Sequence, residues 1–196
     1  MNNYSYLVGN KLYINLTNRC SNSCEFCIRN TDAFHDLDLW LSEEPSANKV
    51  IESFPDLSSV EEEVVFCGYG EPTYKLENII KISEYLHSCG KKTRLNTNGQ
   101  AELLFGGHVP KKLSGFIDTV SISLNAVDKE KYNTLCHPVM GEKAFDAIID
   151  FAKECKKYIP RVVLSVVDVI PIEDQIKAAE IAKEIGVDFR IRHYTE

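Results

Sequence analysis

The sequence has no apolar run long enough to cross a bilayer, and its opening, MNNYSYLVGN, has no charged stretch leading into an apolar one. A membrane span and a secretory signal are therefore not expected, and the chain reads as cytoplasmic and free of the membrane. It is also short of positive charge: 22 Lys and Arg stand against 29 Asp and Glu, a net charge of −7, with no basic run. That balance argues against DNA or RNA held through bulk charge, although a pocket can still read a single nucleobase or nucleoside. There is no linker, repeat or low-complexity segment. One domain over residues 1–196 is expected, with enough chain for a real core. The seven cysteines cannot all pair, and a disulfide framework does not suit a reducing compartment. Also missing is a fourth cysteine near Cys20, Cys24 and Cys27, which crowd into eight residues as C-x3-C-x2-C. Cys67, Cys89, Cys136 and Cys155 are scattered and read as free, mostly buried thiols.

What is present is an alternation of strand-like and helix-like runs. Gly9-Asn10 separates two strand-like arms over 5–17, which predicts a small N-terminal hairpin whose second arm, Lys11–Thr17, runs into the cysteine loop. Further strands are predicted over 62–68, 92–98, 118–124, 161–169 and 188–194. Helices are predicted over 46–54, 76–90, 128–136, 142–158 and 173–186. Strands alternating with helices predict an α/β fold with a parallel sheet and right-handed crossovers. Six main strands are too few for a closed eight-unit barrel. A partial (β/α)6 TIM-type barrel fits better, with a flat doubly wound sheet as the alternative.

Polar residues on the strands favour the barrel. Leu12, Ile14 and Leu16 alternate with Tyr13, Asn15 and Thr17. Arg94, Asn96 and Asn98 share a face, as do Ser121, Ser123 and Asn125, and Arg190, Arg192 and Tyr194. A parallel sheet covered on both sides would be apolar on both. These faces instead predict a polar lumen holding a large polar ligand. The alternative is an interior salt-bridge network around Arg94, Arg190 and Arg192, which would be costly to bury.

Cysteine thiolates are the usual ligands of iron–sulfur clusters, and a four-iron cluster needs four of them. Three from one tight loop leave one iron open to an outside molecule. The loop follows the first parallel strand, at the edge where α/β sites form. A zinc site of three cysteines and a histidine, with His35 nearest, is the competing reading, although zinc ligands come more often as two separated pairs. A ferredoxin-type cluster would need a fourth cysteine, and the next along the chain is Cys67.

The triplet, with Phe26 just before its third cysteine, resembles the signature of the radical SAM superfamily. FCGYGEPT (66–73) is similar to the superfamily's Gly-Gly-Glu-Pro motif, with Tyr69 inserted between the two glycines. RLNTNG (94–99) and SISLN (121–125) resemble two further strand ends of that superfamily, in the expected order. The resemblance implies a [4Fe–4S] cluster on Cys20, Cys24 and Cys27, with S-adenosylmethionine on the open iron. It implies cofactor contacts at Phe26 for adenine, and at Gly68, Tyr69, Gly70 and Glu71 for the methionine amine. Contacts to ribose or carboxylate fall to Asn96, Asn98, Ser121, Ser123 and Asn125. One electron then breaks the carbon–sulfur bond, and the 5′-deoxyadenosyl radical removes a hydrogen from a small-molecule substrate. A flavodoxin or ferredoxin is implied as the electron donor, and a homodimer is allowed.

More narrowly, KLYINLTNRCSNSCEFCIRN, LWLSEEPS, NTNGQ and YNTLCHP resemble the TatD-associated radical SAM group. That group is similar to queuine lyase, which cuts a C–N bond of queuine to leave 7-aminomethyl-7-deazaguanine in queuosine salvage. The short barrel also resembles 7-carboxy-7-deazaguanine synthase. A glycyl-radical activase and a non-catalytic iron–sulfur or zinc module are the other readings. A deazaguanine presents an N–H edge and an amine and wants a carboxylate and a flat apolar wall. Candidate substrate contacts are Asn15, Arg192, His193 and Tyr194 at strand ends, and Trp40 after the cysteine loop, for which a core position is the simpler expectation. Asp168 and Glu196 are candidate carboxylates. Cys136-His137 reads as structural, because adjacent residues rarely point together.

Overall fold

A computed structural model describes residues 2–31 and 37–194 of the chain. Seven strands form one sheet: β1 (Ser5–Val8), β2 (Lys11–Ile14), β3 (Glu63–Phe66), β4 (Lys92–Thr97), β5 (Thr119–Ser123), β6 (Arg161–Val167) and β7 (Asp188–Arg192). Their spatial order is their order in sequence. The β1–β2 pair is the expected antiparallel hairpin, with Ser5 opposite Ile14, and every later pairing is parallel.

That order decides between the two predicted architectures. A doubly wound sheet reverses its strand order part-way. Here every crossover steps the same way, and right-handed crossovers then put all helices on one face. The chain is a partial barrel, open between β1 and β7 among the described residues.

The helices are α1 (Ala47–Glu52), α2 (Leu76–Ser88), α3 (Ala101–Phe105), α4 (Val109–Lys112), α5 (Lys129–Cys136), α6 (Lys143–Cys155) and α7 (Ile172–Ile185). Sequence patterning finds all but α3 and α4, and sets most strands one to three residues too long. The strands turn alternate residues outward to meet the helices. Leu12, Ile14, Val64, Phe66, Leu95, Val120, Ile122, Leu164 and Val166 are buried with Ile79, Ile82 and Leu86 of α2, Ile148 and Phe151 of α6, and Ala178 and Ala182 of α7. Each large side chain buried there stabilises by about 1.5–3 kcal/mol. The other residues of the same strands face inward, and that face carries the site. Among the described residues no helix is long and apolar enough to cross a membrane.

Candidate functional site

The cysteine loop leaves β2 and is held on two sides. On one side it meets the end of α5. The last carbonyls of a helix have no partner within it. Here the Leu135 and Cys136 carbonyls accept from the Glu25 N–H (3.1 Å) and the Ser23 N–H (3.0 Å). His137, in the left-handed region at φ 44°, ends the helix and turns the chain away. On the other side the loop meets the residues after β4. Asn98 Nδ2 donates to Ser21 Oγ at 2.8 Å. Gln100 Nε2 donates to Asn22 Oδ1 (2.7 Å) and to the Tyr132 hydroxyl (3.0 Å), which also accepts from Asn22 Nδ2 (2.8 Å). All three of these residues are buried.

The Gly68–Glu71 turn closes over the same loop. A Cβ on Gly70 would lie 2.3 Å from the Thr17 carbonyl oxygen and 2.6 Å from that of Arg19; one on Gly68 would lie 2.1 Å from Asn15 Oδ1. Both glycines therefore let this turn pack against the cysteine loop. Glu71 is buried. Its Oε1 accepts from the Thr73 N–H (3.1 Å), Thr73 Oγ1 (2.7 Å) and Thr97 Oγ1 (2.8 Å), and its Oε2 from the Asn98 N–H (2.7 Å). Burial pushes its carboxyl up, and these donors pull it back. With its oxygens so occupied, the side chain is a strut between two loops. Among the described residues the Gly68, Tyr69 and Gly70 carbonyls accept no hydrogen bond.

These parts front one cavity of about 360 Å³, within the size range of small-molecule sites. Cys20, Cys24, Phe26, Cys27, Gly68, Tyr69, Gly70 and Glu71 line its mouth. The inner faces of the strands supply Arg94, Asn96, Ser121, Ser123, Arg190 and Arg192, and the residues just past β4 and β5 supply Asn98 and Asn125. The lining also includes the aromatic and aliphatic side chains of Tyr6, Val8, Tyr13, Ile28 and Tyr69. Tyr6 and Tyr13 stack at 5.3 Å. Asn125 also adopts a left-handed conformation (φ 56°) that ends β5.

Three sequence-based candidates fall elsewhere. Asn15 does not line the cavity; it is fully buried beneath Gly68, its Nδ2 donating to the Leu39 carbonyl at 2.7 Å. Trp40 is neither core nor cavity wall. It is 51% exposed and packs edge-on to Tyr69 at 5.4 Å, with the Arg29 guanidinium 5.9 Å away. Asp168 is engaged locally, accepting from the Tyr194 N–H (2.7 Å) and pairing with His193 Nδ1 (2.8 Å). His193 and Tyr194 are exposed at the cavity rim. His35 and Glu196 lie outside the described residues. Cys136 and Cys155 are buried as expected, whereas Cys89 is exposed and Cys67 lines the cavity. The Cys67 thiol sits beside the Asn96 side chain, and burial raises its pKa. The Ser21–Asn22–Gln100–Tyr132 clamp has no counterpart in the sequence reading.

Three soft thiols from one loop suit iron–sulfur ligation, and none is in a disulfide. Among the described residues no group of three or more Cys, His, Asp or Glu side chains is drawn together as a site for a single metal ion. Cys20 Sγ accepts from the Asn22 N–H at 3.4 Å, the kind of bond that tunes a cluster's potential. Burial, and then the charge of Glu71, hold the free Cys20 thiol up at about 12. The Cys24 thiol is lowered, chiefly by its hydrogen bond with Cys136. A bound cluster overrides both, because a coordinated thiol is deprotonated.

The chain matches the family model of the radical SAM superfamily over residues 14–185, and it belongs to that superfamily. Members are enzymes that use a [4Fe–4S] cluster and S-adenosylmethionine. A protein of Methanocaldococcus jannaschii, described as uncharacterized protein MJ0804, is 30% identical over 126 residues, covering 64% of this chain and 41% of that one. Streptococcus suis SuiB, solved bound to S-adenosylmethionine, superposes with a TM-score of 0.68 at 21% identity, covering 94% of this chain and 38% of its own. A radical SAM methyltransferase from Sphaerobacter thermophilus superposes at 0.57 and 14% identity, covering 96% of this chain and 68% of its own. The chain thus spans about two fifths of MJ0804 and of SuiB. The two solved structures share its fold.

Proposed function

We propose that residues 1–196 act as one radical SAM domain, with the cluster on Cys20, Cys24 and Cys27 and a small-molecule substrate in the lumen. The observation that carries this is the convergence of all three thiols, the Gly68–Glu71 turn and the Asn and Ser strand ends on one cavity. When bound, the reduced cluster and S-adenosylmethionine supply methionine and a 5′-deoxyadenosyl radical. The protein's part is to orient and enclose. Carbonyls of residues 68–70 accept from the methionine amine, Asn96, Ser121 and Ser123 hold ribose or carboxylate, and backbone near Phe26 holds adenine. The lumen keeps the radical at contact distance from its target and away from water. The setting we propose is the cytoplasm, with a flavodoxin or ferredoxin as reductant.

For the substrate we propose a 7-deazaguanine, specifically queuine, cut at its C–N bond to 7-aminomethyl-7-deazaguanine. The support is the cavity's mixed lining. Tyr6, Tyr13 and Tyr69 offer aromatic faces for a flat base, and the arginines and asparagines of the same lining suit its polar edge. One observation favours a second reading, an enzyme handling a carboxylated deazaguanine: the lining is rich in arginine.

The test is an anaerobic assay of reconstituted protein with S-adenosylmethionine and dithionite, with and without queuine, read by mass spectrometry. Formation of 5′-deoxyadenosine and 7-aminomethyl-7-deazaguanine, both lost in Cys24→Ala, is the expected result. Formation of 5′-deoxyadenosine indifferent to queuine removes the substrate and keeps the chemistry. A protein that takes up no iron ends the whole reading.

A further inference from the structure

We propose that the Cys136 thiol donates a hydrogen bond to the Cys24 sulfur and so sets how readily a cluster on that sulfur is reduced. The proposal rests on the radical SAM reading for the cluster and on the packing of α5 against the cysteine loop for its geometry. Residues on both sides of Cys24 are tied to the end of that helix. The Ser23 N–H donates to the Cys136 carbonyl (3.0 Å) and the Glu25 N–H to the Leu135 carbonyl (3.1 Å). Just past the helix, the Val139 N–H donates to the Ser21 carbonyl at 2.9 Å. Cys24 is thereby held against Cys136, and the two side chains are hydrogen-bonded. Cys24 lines the cavity, whereas Cys136 lies behind it, fully buried in the core.

The direction of that bond follows from chemistry. A thiol has a single hydrogen to give, and a coordinated thiol is deprotonated. With Cys24 on iron, only Cys136 can donate between the two. Its other neighbours leave it that role. The Tyr132 hydroxyl, one turn back on the same face of α5, accepts from Asn22 Nδ2 (2.8 Å) and Gln100 Nε2 (3.0 Å), so its own hydrogen is free for Cys136, to which it is bonded. The Asn125 amide also reaches Cys136, and its Oδ1 is already taken by Arg192 Nη2 at 3.1 Å. Both neighbours therefore donate to the Cys136 sulfur, and its S–H is left for Cys24.

Reduction adds negative charge to a cluster and its sulfurs. A donor fixed against one sulfur stabilises that charge, and hydrogen bonds to the sulfurs are among the features that set a cluster's potential. Water does not reach Cys136 to replace it. Without its thiol, that side of Cys24 faces apolar core. A cysteine serving only to fill space would leave the potential untouched, which makes the potential the quantity to read.

The test is an anaerobic redox titration of reconstituted protein without S-adenosylmethionine, followed by electron paramagnetic resonance of the reduced cluster, so that nothing turns over. Cys136→Ala and Cys136→Val both remove the donor, the second while keeping bulk; Cys136→Ser keeps a donor. Iron content and circular dichroism identify intact protein, at about four irons per chain. Cys136→Ala and Cys136→Val should each make the cluster about tenfold harder to reduce, a shift of about 59 mV to lower potential for a one-electron couple. Cys136→Ser should stay close to wild type. The proposal is overturned if either apolar variant, with its iron intact, titrates as wild type does, or if Cys136→Ser falls as far as they do. Iron lost from Cys136→Ala as fully as from Cys24→Ala overturns it as well, by making Cys136 a ligand. Failure of the radical SAM reading looks different, as wild-type protein that takes up no iron.

Discussion

Glu71 Oε2 accepts the backbone N–H of Asn98 at 2.7 Å, and the same Asn98 donates its side-chain amide to Ser21 beside the first cysteine. One carboxylate therefore ties the turn after β3, the end of β4 and the cysteine loop into a single unit. Glu71→Gln keeps one acceptor oxygen but points an amide donor at another donor. It should destabilise the fold by about 1–3 kcal/mol, the cost of leaving buried donors unmet, and Glu71→Ala by more. Urea midpoints measure this. A midpoint unchanged in Glu71→Ala would mean that the carboxylate is not the strut its bonds describe.

The two glycines of the turn lead to a sharper contrast. In Gly70→Ala the new Cβ meets backbone, the Thr17 and Arg19 carbonyls at 2.3 and 2.6 Å, and neither can swing aside. The turn or the cysteine loop must shift, and overpacking of this kind costs about 1–3 kcal/mol or more. Gly90→Ala is the control. Its φ is +75° but nothing lies within 4 Å, so only backbone strain of about 1 kcal/mol is expected. Melting temperatures should separate the pair, and only Gly70→Ala should lower iron uptake on reconstitution. Equal uptake by the two variants would show that the close packing at Gly70 does not shape the cluster loop.

Glu44 gives the pH dependence. It receives Arg19 Nε (2.9 Å), Lys75 Nζ (3.0 Å) and the Thr17 hydroxyl. Partial burial is its largest single influence and raises its pKa, but these donors together outweigh it and hold the carboxylate down at about 2. Unfolded, it titrates near 4.3. The unfolded chain thus takes up the proton first as pH falls. The stabilisation is complete above about pH 5 and is lost toward pH 2. The gap in melting temperature between wild type and Glu44→Gln should be widest at neutral pH and narrow through that window. A gap constant from pH 7 to pH 2.5 would contradict the assignment.

Much of the lumen was legible because strand periodicity is local. Arg94 and Asn96, or Ser121 and Ser123, alternate with apolar neighbours, so the inward face could be read two residues at a time. The same polar inward faces favoured a partial barrel over a doubly wound sheet, and the sequential strand order is that of the barrel. Helices α3 and α4, of five and four residues, are too short to show a helical period. Asn15 and Trp40 were misplaced for another reason. Their surroundings are set by the segment around Leu39 and by Tyr69, which local pattern does not reveal. The clamp on the cysteine loop joins Asn22 to Gln100 and Tyr132 across 78 and 110 positions. Only the fold brings them together.

Cys67 supplies the last prediction, because it is the one other thiol among the cavity's lining residues. If the cluster takes three protein ligands, Cys67 is dispensable for it. Reconstituted Cys67→Ser should hold about four irons per chain, the complement of one [4Fe–4S] cluster, as wild type does. Cys20→Ser, Cys24→Ser and Cys27→Ser should each lose most of that iron. The thiol's position beside Asn96, with Arg94 and Arg192 near enough to act on its charge, puts it among the substrate-facing groups instead. Cys67→Ser should therefore raise the KM for substrate more than it alters S-adenosylmethionine binding. Iron lost from Cys67→Ser as fully as from Cys24→Ser would make Cys67 a fourth ligand, and would close the coordination position on which the proposed chemistry depends.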